Sequence, residues 1–269
     1  MKIALTGSTG KLGGLILKQL LLRCQAQDVI VSVRRPAAAE GRGPGELDVR
    51  YGDYDVPESL EPSFRGADKL LMVSSPSTDE TVRLRQHLSV IEAARQAGIR
   101  HIVYTSICAL ERGRLPAHKL HRDTEEAIRE SGIPYTFLRN AYYMDIVRFL
   151  GIREAAASGI LVSPPGNWSF NTVSRHDLAR AAAIVLTEEG HECQTYELTP
   201  RRTWNLDELA RAITDATGRT VVHRTDPDYR NDIYRMLPYS DMNFVSDDLF
   251  QLIGQPLRSV ADEVREIFG

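Results

Sequence analysis

Short apolar runs alternate with amphipathic segments through the first half of the chain. Each run is only a few residues long and is bounded by polar or glycine positions, which is typical of buried strands. The segments between the runs carry apolar residues every three or four positions, which predicts helices with one buried face. The predicted strands are Lys2–Thr6, Val29–Val33, Asp48–Tyr51, Lys69–Val73, His101–Thr105 and Tyr135–Leu138, and the predicted helices are Leu12–Leu20, Pro57–Phe64, Thr81–Ala97 and Ala117–Glu130.

The regular alternation of strands with helices predicts a parallel sheet that is covered by helices on both faces. Right-handed crossovers bring the carboxyl ends of all the strands to one edge, where an open sheet of this kind holds its ligands. We therefore expect the chemistry of the protein in the residues that directly follow each strand.

The second half of the chain is less regular. The pattern predicts a loop around a brief strand at 158–165, a helix over Asp177–Thr187 with Ser174 as its cap, and a strand at Thr195–Leu198. A further helix is expected to begin at Asn205 or Leu206 and to stop at Gly218. Short helical patterns broken by proline and glycine follow. The residues that break these patterns are Pro227, Pro238, Gly254 and Pro256.

Three glycines follow the first predicted strand and open the first helix. Gly7, Gly10 and Gly13 have the spacing G-x-x-G-x-x-G. The first glycine permits a tight turn, the second lets the backbone approach a pyrophosphate, and the third lets the helix sit close to the strand. Free N–H groups and the positive end of the helix dipole then face the anion. The predicted contacts in this loop are Thr6, Gly7, Thr9, Gly10, Lys11, Leu12 and Gly13.

This loop favours a dinucleotide site over two alternatives. A flexible turn would not need the strand and helix that flank the glycines. A P-loop would need Ser or Thr after Lys11, where the chain has Leu12. We therefore predict an α/β fold: a Rossmann-like doubly wound parallel sheet with a smaller C-terminal α/β lobe covering the crevice. Residues 1–150 would form the cofactor domain with 166–189 returning to it, and 190–269 would form the lobe.

The end of the second predicted strand indicates which dinucleotide is bound. An NAD site places an acidic residue there, against the ribose hydroxyl. This chain has Arg34 and Arg35 instead. A guanidinium at that point can pair with a 2′-phosphate, so Arg34 predicts NADP(H), although a solvated surface pair of arginines is the alternative.

Composition excludes several classes of protein. The chain has 269 residues, 42% of them hydrophobic, which is enough for one large domain with or without a smaller lobe. The net charge is −3 and no long basic run occurs, so nucleic acid is not an expected partner. The three cysteines form no metal or redox motif and fit a reducing cytoplasm. We expect no signal peptide and no membrane partner, and a homodimer is compatible with the sequence.

The residues that follow the other strands complete the predicted cofactor site. Asp53 can accept a hydrogen bond from an adenine amino group and Tyr54 can pack on the ring, although an ordinary Asp turn would use the same residues. Small hydroxyl side chains suit the close passage of a ribose. These are Ser74 and Ser75, with Pro76 beside them, and Thr105 after the fifth strand.

After the sixth strand comes the run from Asn140 to Met144. Asn140 could bond the nicotinamide carboxamide or its ribose, and the predicted cofactor contacts continue through Ala141 and Tyr142. Tyr142, Tyr143 and Met144 could form a flat apolar wall for an aromatic substrate, with Tyr143 and Met144 as the substrate contacts. Packing of the two tyrosines in the core is the alternative.

Two residues of the helix that faces this site are further candidates. Lys119 and His121 could act on the cofactor side, with solvated helix positions as the alternative. His118 and His121 could also be read as metal ligands, but no third ligand lies nearby in the sequence, so we predict no metal.

The absence of one sequence pattern limits the classes of acceptor that the chain could reduce. None of the ten tyrosines is followed by Lys four residues later. In the Tyr-x-x-x-Lys pattern the tyrosine protonates the alkoxide that forms when a simple ketone is reduced. Without such an acid the better acceptors are already electrophilic, such as a quinone or a cationic dye, for which the protein mainly supplies orientation and a dry pocket.

Four segments together resemble the NmrA-like branch of the atypical short-chain dehydrogenases/reductases, and within it the quinone and triphenylmethane-dye reductases. The resemblance covers roughly residues 1–223 and departs between Asp226 and Asp247, where this chain looks shorter. The segments that carry it are Thr6–Gly13, His101–Ser106, Ser131–Asn140 and Val185–His191.

The resemblance implies an extended NADPH along Gly7–Gly13, Arg34, Ser74–Pro76 and Asn140–Tyr142, a substrate cleft under a small C-terminal lobe, and direct hydride transfer. It makes an NADPH-dependent reductase of a quinone or related aromatic the first hypothesis. The catalytic candidates are Asn140, Tyr142, His121 and Lys119, none of them assigned as a proton donor.

Two other hypotheses stay open. A non-catalytic, NADP(H)-sensing regulatory protein of the NmrA type would also lack a catalytic acid. A ketoreductase that uses Lys119 or His121 as its acid is a third.

Overall fold

The computed structural model describes residues 1–39, 41 and 47–269. The strands are β1 Ile3–Thr6, β2 Val29–Val33, β3 Asp48–Tyr51, β4 Lys69–Met72, β5 His101–Ile107, β6 Tyr135–Asn140, β7 Ile160–Ser163, β8 Ser169–Phe170, β9 Gln194–Leu198, β10 Trp204–Asn205 and β11 Val222–Thr225. The helices are α1 Lys11–Leu21, α2 Leu60–Phe64, α3 Glu80–Gln96, α4 Pro116–Glu130, α5 Ile152–Ser158, α6 Arg175–Thr187, α7 Leu206–Thr217, α8 Asp232–Met236, α9 Asp248–Ile253 and α10 Val260–Phe268.

Seven strands form one parallel sheet in the order β3-β2-β1-β4-β5-β6-β9. The order reverses beside β1, between β2 and β4, which is the point where doubly wound sheets open a crevice at the carboxyl ends of their strands. The predicted α/β fold class is confirmed, and the glycine loop that follows β1 lies at this switch point.

Side chains on successive strand residues alternate between the two faces of the sheet. Leu5, Val31 and Val103 pack on one face against α1 and α6. Ile30, Tyr104 and Phe137 pack on the other face against α2, α3 and α4. The sheet is therefore buried on both faces, which explains why its strands read as continuous apolar runs rather than alternating ones.

The helix boundaries follow local chemistry. The Ser174 hydroxyl accepts a hydrogen bond from the Asp177 N–H at 3.1 Å, and Asn205 caps α7 in the same way through Glu208. Gly218 ends α7 in the left-handed conformation, at a φ of 68°. These predicted caps and stops are confirmed.

A second core lies outside the main sheet. It joins α5, α7 and α10 with the two small sheets β10-β8 and β11-β7 and with the 3-10 segment Met144–Phe149. Strands β5 and β6 both end later than expected, at Ile107 and Asn140, so that Asn140 is the last residue of β6 and not part of the loop that follows it.

The chain crosses the expected domain boundary at residue 190. β9 lies beyond that boundary but pairs with β6 in the main sheet, and α9 packs on β9 and α6. β9 is an edge strand with exposed polar residues, so its short pattern could not show which sheet it joins. The division into a cofactor domain and a C-terminal lobe stays a prediction. Within the described residues, every helix is too short or too polar to span a bilayer.

Candidate functional site

The turn between β1 and α1 is shaped by two glycines. Gly7 has a φ of 66°, and a Cβ there would lie 3.0 Å from the Val73 side chain. A Cβ on Gly13 would lie 2.2 Å from the Gly7 carbonyl oxygen, which is too close for any other residue. Gly10 is different, because its φ of −82° suits any residue and its Cβ would meet only the Gly7 oxygen, at 3.3 Å.

The amino end of α1 is open. Gly10 offers no side-chain cap, and the first turn of the helix holds no acidic residue. The backbone N–H groups at this end are therefore left for an external acceptor, and the helix dipole favours an anion there. Lys11 lies beside them, exposed to solvent.

A cleft of about 410 Å³ opens in front of this helix end. It lies at the carboxyl ends of β1, β2, β3 and β4, as expected for a doubly wound sheet. Ten of the predicted cofactor contacts line it. They are Thr6, Gly7, Thr9, Gly10, Arg34, Asp53, Tyr54, Ser74, Ser75 and Pro76.

Tyr54 joins the floor of the cleft to two strands. Its hydroxyl lies 2.7 Å from the Thr6 hydroxyl and 2.9 Å from the Val73 carbonyl oxygen. Burial raises the pKa of Tyr54, so the phenol stays neutral. Because the hydroxyl is engaged, only the ring face is left for a ligand.

The loop after β4 is held from behind by His87. The Ser75 N–H donates to Nε2 of His87 at 3.0 Å, so the proton of the neutral ring is on Nδ1, which donates to Thr124 at 2.9 Å. Burial, with Arg83 nearby, lowers the pKa of His87 to about 3. The Thr105 hydroxyl accepts from the Ser74 N–H at 2.9 Å, which makes it a support of the loop rather than part of the cleft surface.

Arg34 lies at the entrance of the cleft. It is exposed, and among the described residues it has no ion pair. A free guanidinium beside an open helix end makes this part of the cleft electropositive.

Several cleft residues were missed by the sequence interpretation. Val82 and Gln86 lie one turn apart near the start of α3 and both face the cleft. The available signal was the position of α3 directly after β4, since the first turns of such a helix border the crevice. The other missed residues are Ser32, Val33, Gly52, Asp55, Val73 and Ser77.

The remaining predicted cofactor contacts lie outside this cleft. Leu12 and Gly13 are buried under the turn. Asn140, Ala141 and Tyr142 are separate from it, at the carboxyl end of β6.

The chain from Asn140 to Met144 is fixed by its backbone. The Asn140 carbonyl accepts from the Cys108 N–H at 2.9 Å, and Ala141 donates to Leu198 at 3.1 Å. Met144 is 3% exposed, and its sulfur accepts a hydrogen bond from the Thr172 hydroxyl. Its position therefore favours packing in the second core over a role in a substrate wall.

Tyr143 lies under a charged cluster. The Arg175 guanidinium carbon is 3.9 Å from the Tyr143 ring centroid, and Arg175 also pairs with Asp145. Lys11 reaches the same carboxylate at 3.5 Å. The cluster therefore links the helix end at the cleft to the residue predicted to contact the substrate.

The two candidates on α4 behave differently from expectation. Lys119 is exposed and pairs with Asp123 one turn along, so it faces solvent and not the crevice. His121 is buried, and its Nδ1 lies 2.7 Å from the Tyr104 hydroxyl. Burial lowers the pKa of His121 well below its usual value. Neither Lys119 nor His121 is therefore placed to act as an acid in contact with the cofactor.

No metal site is found in the described part of the chain. The His, Cys, Asp and Glu side chains there form no group of three or more that could hold an ion. His118 is fully buried and does not contribute to such a group.

A clasp closes the crevice above β5 and β6. It consists of the loop 108–115 and the segment 237–244, between which the Arg114 N–H donates to the Tyr239 carbonyl at 2.9 Å. Arg112 pairs with Asp241 at 3.6 Å and lies 5.0 Å from the Phe244 ring centroid. Asn171 holds the segment to the second core through the Phe244 carbonyl.

The clasp covers polar groups that lack well-aligned hydrogen bonds. The Tyr142 hydroxyl is buried and has no well-aligned hydrogen bond to the described residues, although Ser240 of the clasp interacts with it, and burial raises the pKa of Tyr142 to about 12. Cys108, the first residue of the loop 108–115, is fully buried, and burial raises the pKa of its thiol to about 12. This end of the crevice is closed, whereas the cleft in front of α1 is open.

The chain is similar to known proteins over its whole length. A family model described as NAD(P)H-binding matches residues 7–189. Quinone oxidoreductase 2 of Escherichia coli (strain K12) is 32% identical over an alignment of 286 positions, gaps included, that covers 99% of each chain. The NmrA-like family domain-containing oxidoreductase flvB of Aspergillus flavus is 30% identical over 230 residues, which cover 82% of this chain and 73% of that one.

Solved structures agree with this similarity. The crystal structure of the Citrobacter sp. triphenylmethane reductase complexed with NADP(H) matches with a TM-score of 0.91 and 39% identity, covering 99% of both chains.

Proposed function

The chain belongs to the NAD(P)H-binding family and is an oxidoreductase of its NmrA-like branch, and from this premise we propose that it reduces a quinone or related conjugated aromatic with NADPH. The family membership confirms the predicted resemblance and the predicted oxidoreductase activity. The observation that carries the proposal is the open cleft, where the uncapped end of α1 meets the unpaired Arg34.

The residues at this cleft fit a dinucleotide. The left-handed φ of Gly7 and the packing of Gly13 hold the loop against the start of α1, where no side chain caps the backbone N–H groups. A pyrophosphate there would take hydrogen bonds from the loop and stabilisation from the dipole of α1. The relative in the Citrobacter structure is complexed with NADP(H), which supports this fit.

We propose that Arg34 selects NADPH over NADH. Its guanidinium is free to pair with a 2′-phosphate, which NADH lacks. Asp53 and Tyr54 would then border the adenine, and the serine loop at Ser74 and Ser75 would pass the second ribose. The tight hold of His87 on this loop keeps these contacts in place before the cofactor arrives.

At the other end of the crevice, Asn140, Ala141 and Tyr142 would hold the nicotinamide. When bound, NADPH supplies a hydride. The backbone bonds that fix Asn140 and Ala141 position the ring, and the clasp excludes water from it. Tyr143, held under Arg175, would present an aromatic face to the acceptor.

The acceptor class follows from what surrounds this end. Lys119 faces solvent and His121 is bonded to Tyr104, so neither supplies an acid for a ketone. An acceptor that spreads or neutralises the incoming charge needs no such acid. The name and full-length similarity of Quinone oxidoreductase 2 support a quinone, and the Citrobacter relative supports a cationic dye as a second acceptor.

The test is turnover with a matched control. The protein is mixed with NADPH and a panel of quinones and triphenylmethane dyes, and the loss of nicotinamide absorbance is followed. We expect turnover with at least one quinone, and a rate at limiting NADPH that is at least tenfold lower for a Gly10→Ala variant that still folds. No loss of absorbance with any acceptor would overturn the proposal.

A further inference from the structure

His118 is the least explained polar side chain in the described structure. It is 1% exposed, and neither Nδ1 nor Nε2 has a well-aligned hydrogen bond to a described residue, the Leu115 carbonyl being the one acceptor that interacts with the ring. The nearby Leu115 carbonyl already accepts the backbone N–H of His118, at 2.9 Å. A buried imidazole without a well-aligned hydrogen bond opposes folding, so its position calls for a role in another state of the protein.

The position of His118 in the fold places it at the acceptor end of the crevice. α4 runs back along β5, and His121 meets Tyr104 in the middle of that strand. His118 is one helical turn closer to the start of α4, about 5 Å nearer to the carboxyl edge of the sheet. β5 ends at Ile107, which pairs with Asn140 in the strand register.

The loop 108–115 of the clasp covers the His118 ring. The Gly113 backbone lies so close to the ring that a Cβ at Gly113 would be 1.8 Å from Nε2. The loop is held to the segment 237–244 by the Arg114 hydrogen bond and by the exposed Arg112–Asp241 pair. The Ala109 N–H also donates to Glu197 and the Leu110 carbonyl accepts from Arg122, each at 3.0 Å, so the loop lifts only as a minor local opening, which uncovers Nε2.

We propose that His118 is a catalytic residue that donates a hydrogen bond to the oxygen of the acceptor when the loop 108–115 lifts from the segment 237–244. This role rests on the proposed quinone reductase activity. The ring is neutral, because burial lowers the pKa of His118, so it donates an N–H without giving up the proton.

The chemistry balances without a further reactant except water. The quinone gains two electrons and one proton as hydride, and the nicotinamide is left oxidised. The reduced quinone then carries one oxyanion, which takes its proton from water. The N–H of His118 stabilises that oxyanion as it forms, as a preorganised donor in a closed site does.

Two classes of acceptor separate this role from a structural one. Menadione develops an oxyanion on reduction, whereas crystal violet is a carbocation that hydride simply neutralises. The variants are His118→Leu, which removes both ring nitrogens, and His118→Gln, which keeps an N–H donor at similar reach. Each is assayed as the NADPH-loaded protein beside the wild type.

We expect His118→Leu to lower kcat with menadione about a hundredfold and to change kcat with crystal violet less than twofold. His118→Gln should recover at least tenfold of the loss. Equal losses with both acceptors, or no loss with menadione, would overturn the role. If the wild type reduces neither acceptor, the proposed function itself fails, and this role fails with it.

Two readouts do not depend on turnover. The absorbance band of para-nitrophenolate bound to the NADP⁺-loaded protein should show a hydrogen-bonded oxyanion in the wild type and in His118→Gln, but not in His118→Leu. The Tm of His118→Leu should equal or exceed that of the wild type, because two nitrogens without well-aligned hydrogen bonds are removed. An unchanged band, or a Tm drop in His118→Leu, would contradict the proposal.

Discussion

The two ends of the crevice differ in how they are built. The end in front of α1 is an open cleft whose walls are fixed by backbone and by neutral hydrogen bonds, such as the one from Ser75 to His87. The end above β5 and β6 is covered by the clasp and holds polar groups without well-aligned hydrogen bonds to the described residues, His118 and the Tyr142 hydroxyl among them. The first end is ready for its ligand, whereas the second must open.

Because the two ends are built differently, we expect one to set the affinity for the cofactor and the other to set the rate of turnover. A preformed site binds without a cost of reorganisation, so the open end should set the affinity for the cofactor. A closed site has to lift its lid before the acceptor enters, so the covered end should set the rate and the choice of acceptor. If the two ends are independent, a change at one end should leave the other unaffected.

The largest effect is expected at the glycine turn. Gly13→Ala puts a Cβ 2.2 Å from the Gly7 carbonyl oxygen, and should lower the free energy of unfolding by about 3 kcal/mol and abolish NADPH binding. Gly10→Ala is the matched control, since its Cβ would lie 3.3 Å from the same Gly7 oxygen, a contact that a small shift relieves. It should change the unfolding free energy by less than about 0.5 kcal/mol yet weaken NADPH binding tenfold or more. Urea unfolding and calorimetry measure the two quantities, and equal unfolding losses would contradict the assignment.

Acid should weaken the fold through its buried histidines. The pKa of His87 is lowered to about 3 and that of His101 to about 4, both mainly by burial. Because these values lie below the unfolded value of about 6.5, the unfolded chain binds more protons at acid pH. Stability is therefore full above about pH 6.5 and is lost as the pH falls towards 3, by up to about 1.4 kcal/mol per pH unit for each residue.

The check is urea unfolding between neutral pH and pH 4 in the wild type and in His87→Gln. The variant should be less stable at neutral pH but should show a shallower fall with acid. An identical slope in both proteins would mean that His87 is not the neutral support of the open end.

The third prediction concerns Arg34. Removing its guanidinium in Arg34→Ala should weaken NADPH binding by about 1.5–3 kcal/mol and leave NADH binding unchanged, since only NADPH has the 2′-phosphate. Arg35→Ala is the neighbouring control and should lose less. Calorimetry with both cofactors is the measurement, and equal losses for NADPH and NADH would show that another residue reads the phosphate.

The smallest effect is expected at the clasp. Arg112→Ala removes the pair with Asp241 and the contact with Phe244, an exposed interaction worth about 1 kcal/mol or less. The loop 108–115 should then lift more often, so the buried Cys108 should react up to about fivefold faster with a thiol reagent, in a background without the other two cysteines.

The affinity for NADPH should not change in Arg112→Ala, because the open end is separate from the clasp. Arg23→Ala, which breaks a surface pair at the far edge of the sheet, is the control. A change in NADPH affinity of the same size as the change in thiol reactivity would mean that the two ends are not independent.

The open end was predictable because local patterns encode it. Strands of the buried sheet read as apolar runs, the glycine spacing marks the turn, and residues after each strand meet at one edge. Val82 and Gln86 were missed because α3 was treated as a covering helix and not as a wall of the cleft.

The covered end was not predictable in the same way. The edge strand β9 is short and polar, and the clasp joins residues more than a hundred positions apart, such as Arg112 and Asp241. No local pattern reports such a pairing. Lys119 and His121 were taken as site residues from their place on α4, but the helix phase turns one to solvent and buries the other.

The central claim is that hydride passes directly from NADPH to an acceptor held at the covered end. NADPH that carries deuterium at the transferable position of the nicotinamide tests it most directly, with crystal violet as acceptor and mass spectrometry of the leuco product. The account predicts one deuterium on the central carbon of the dye and a slower rate with the labelled cofactor. A product that contains only solvent protium would contradict it.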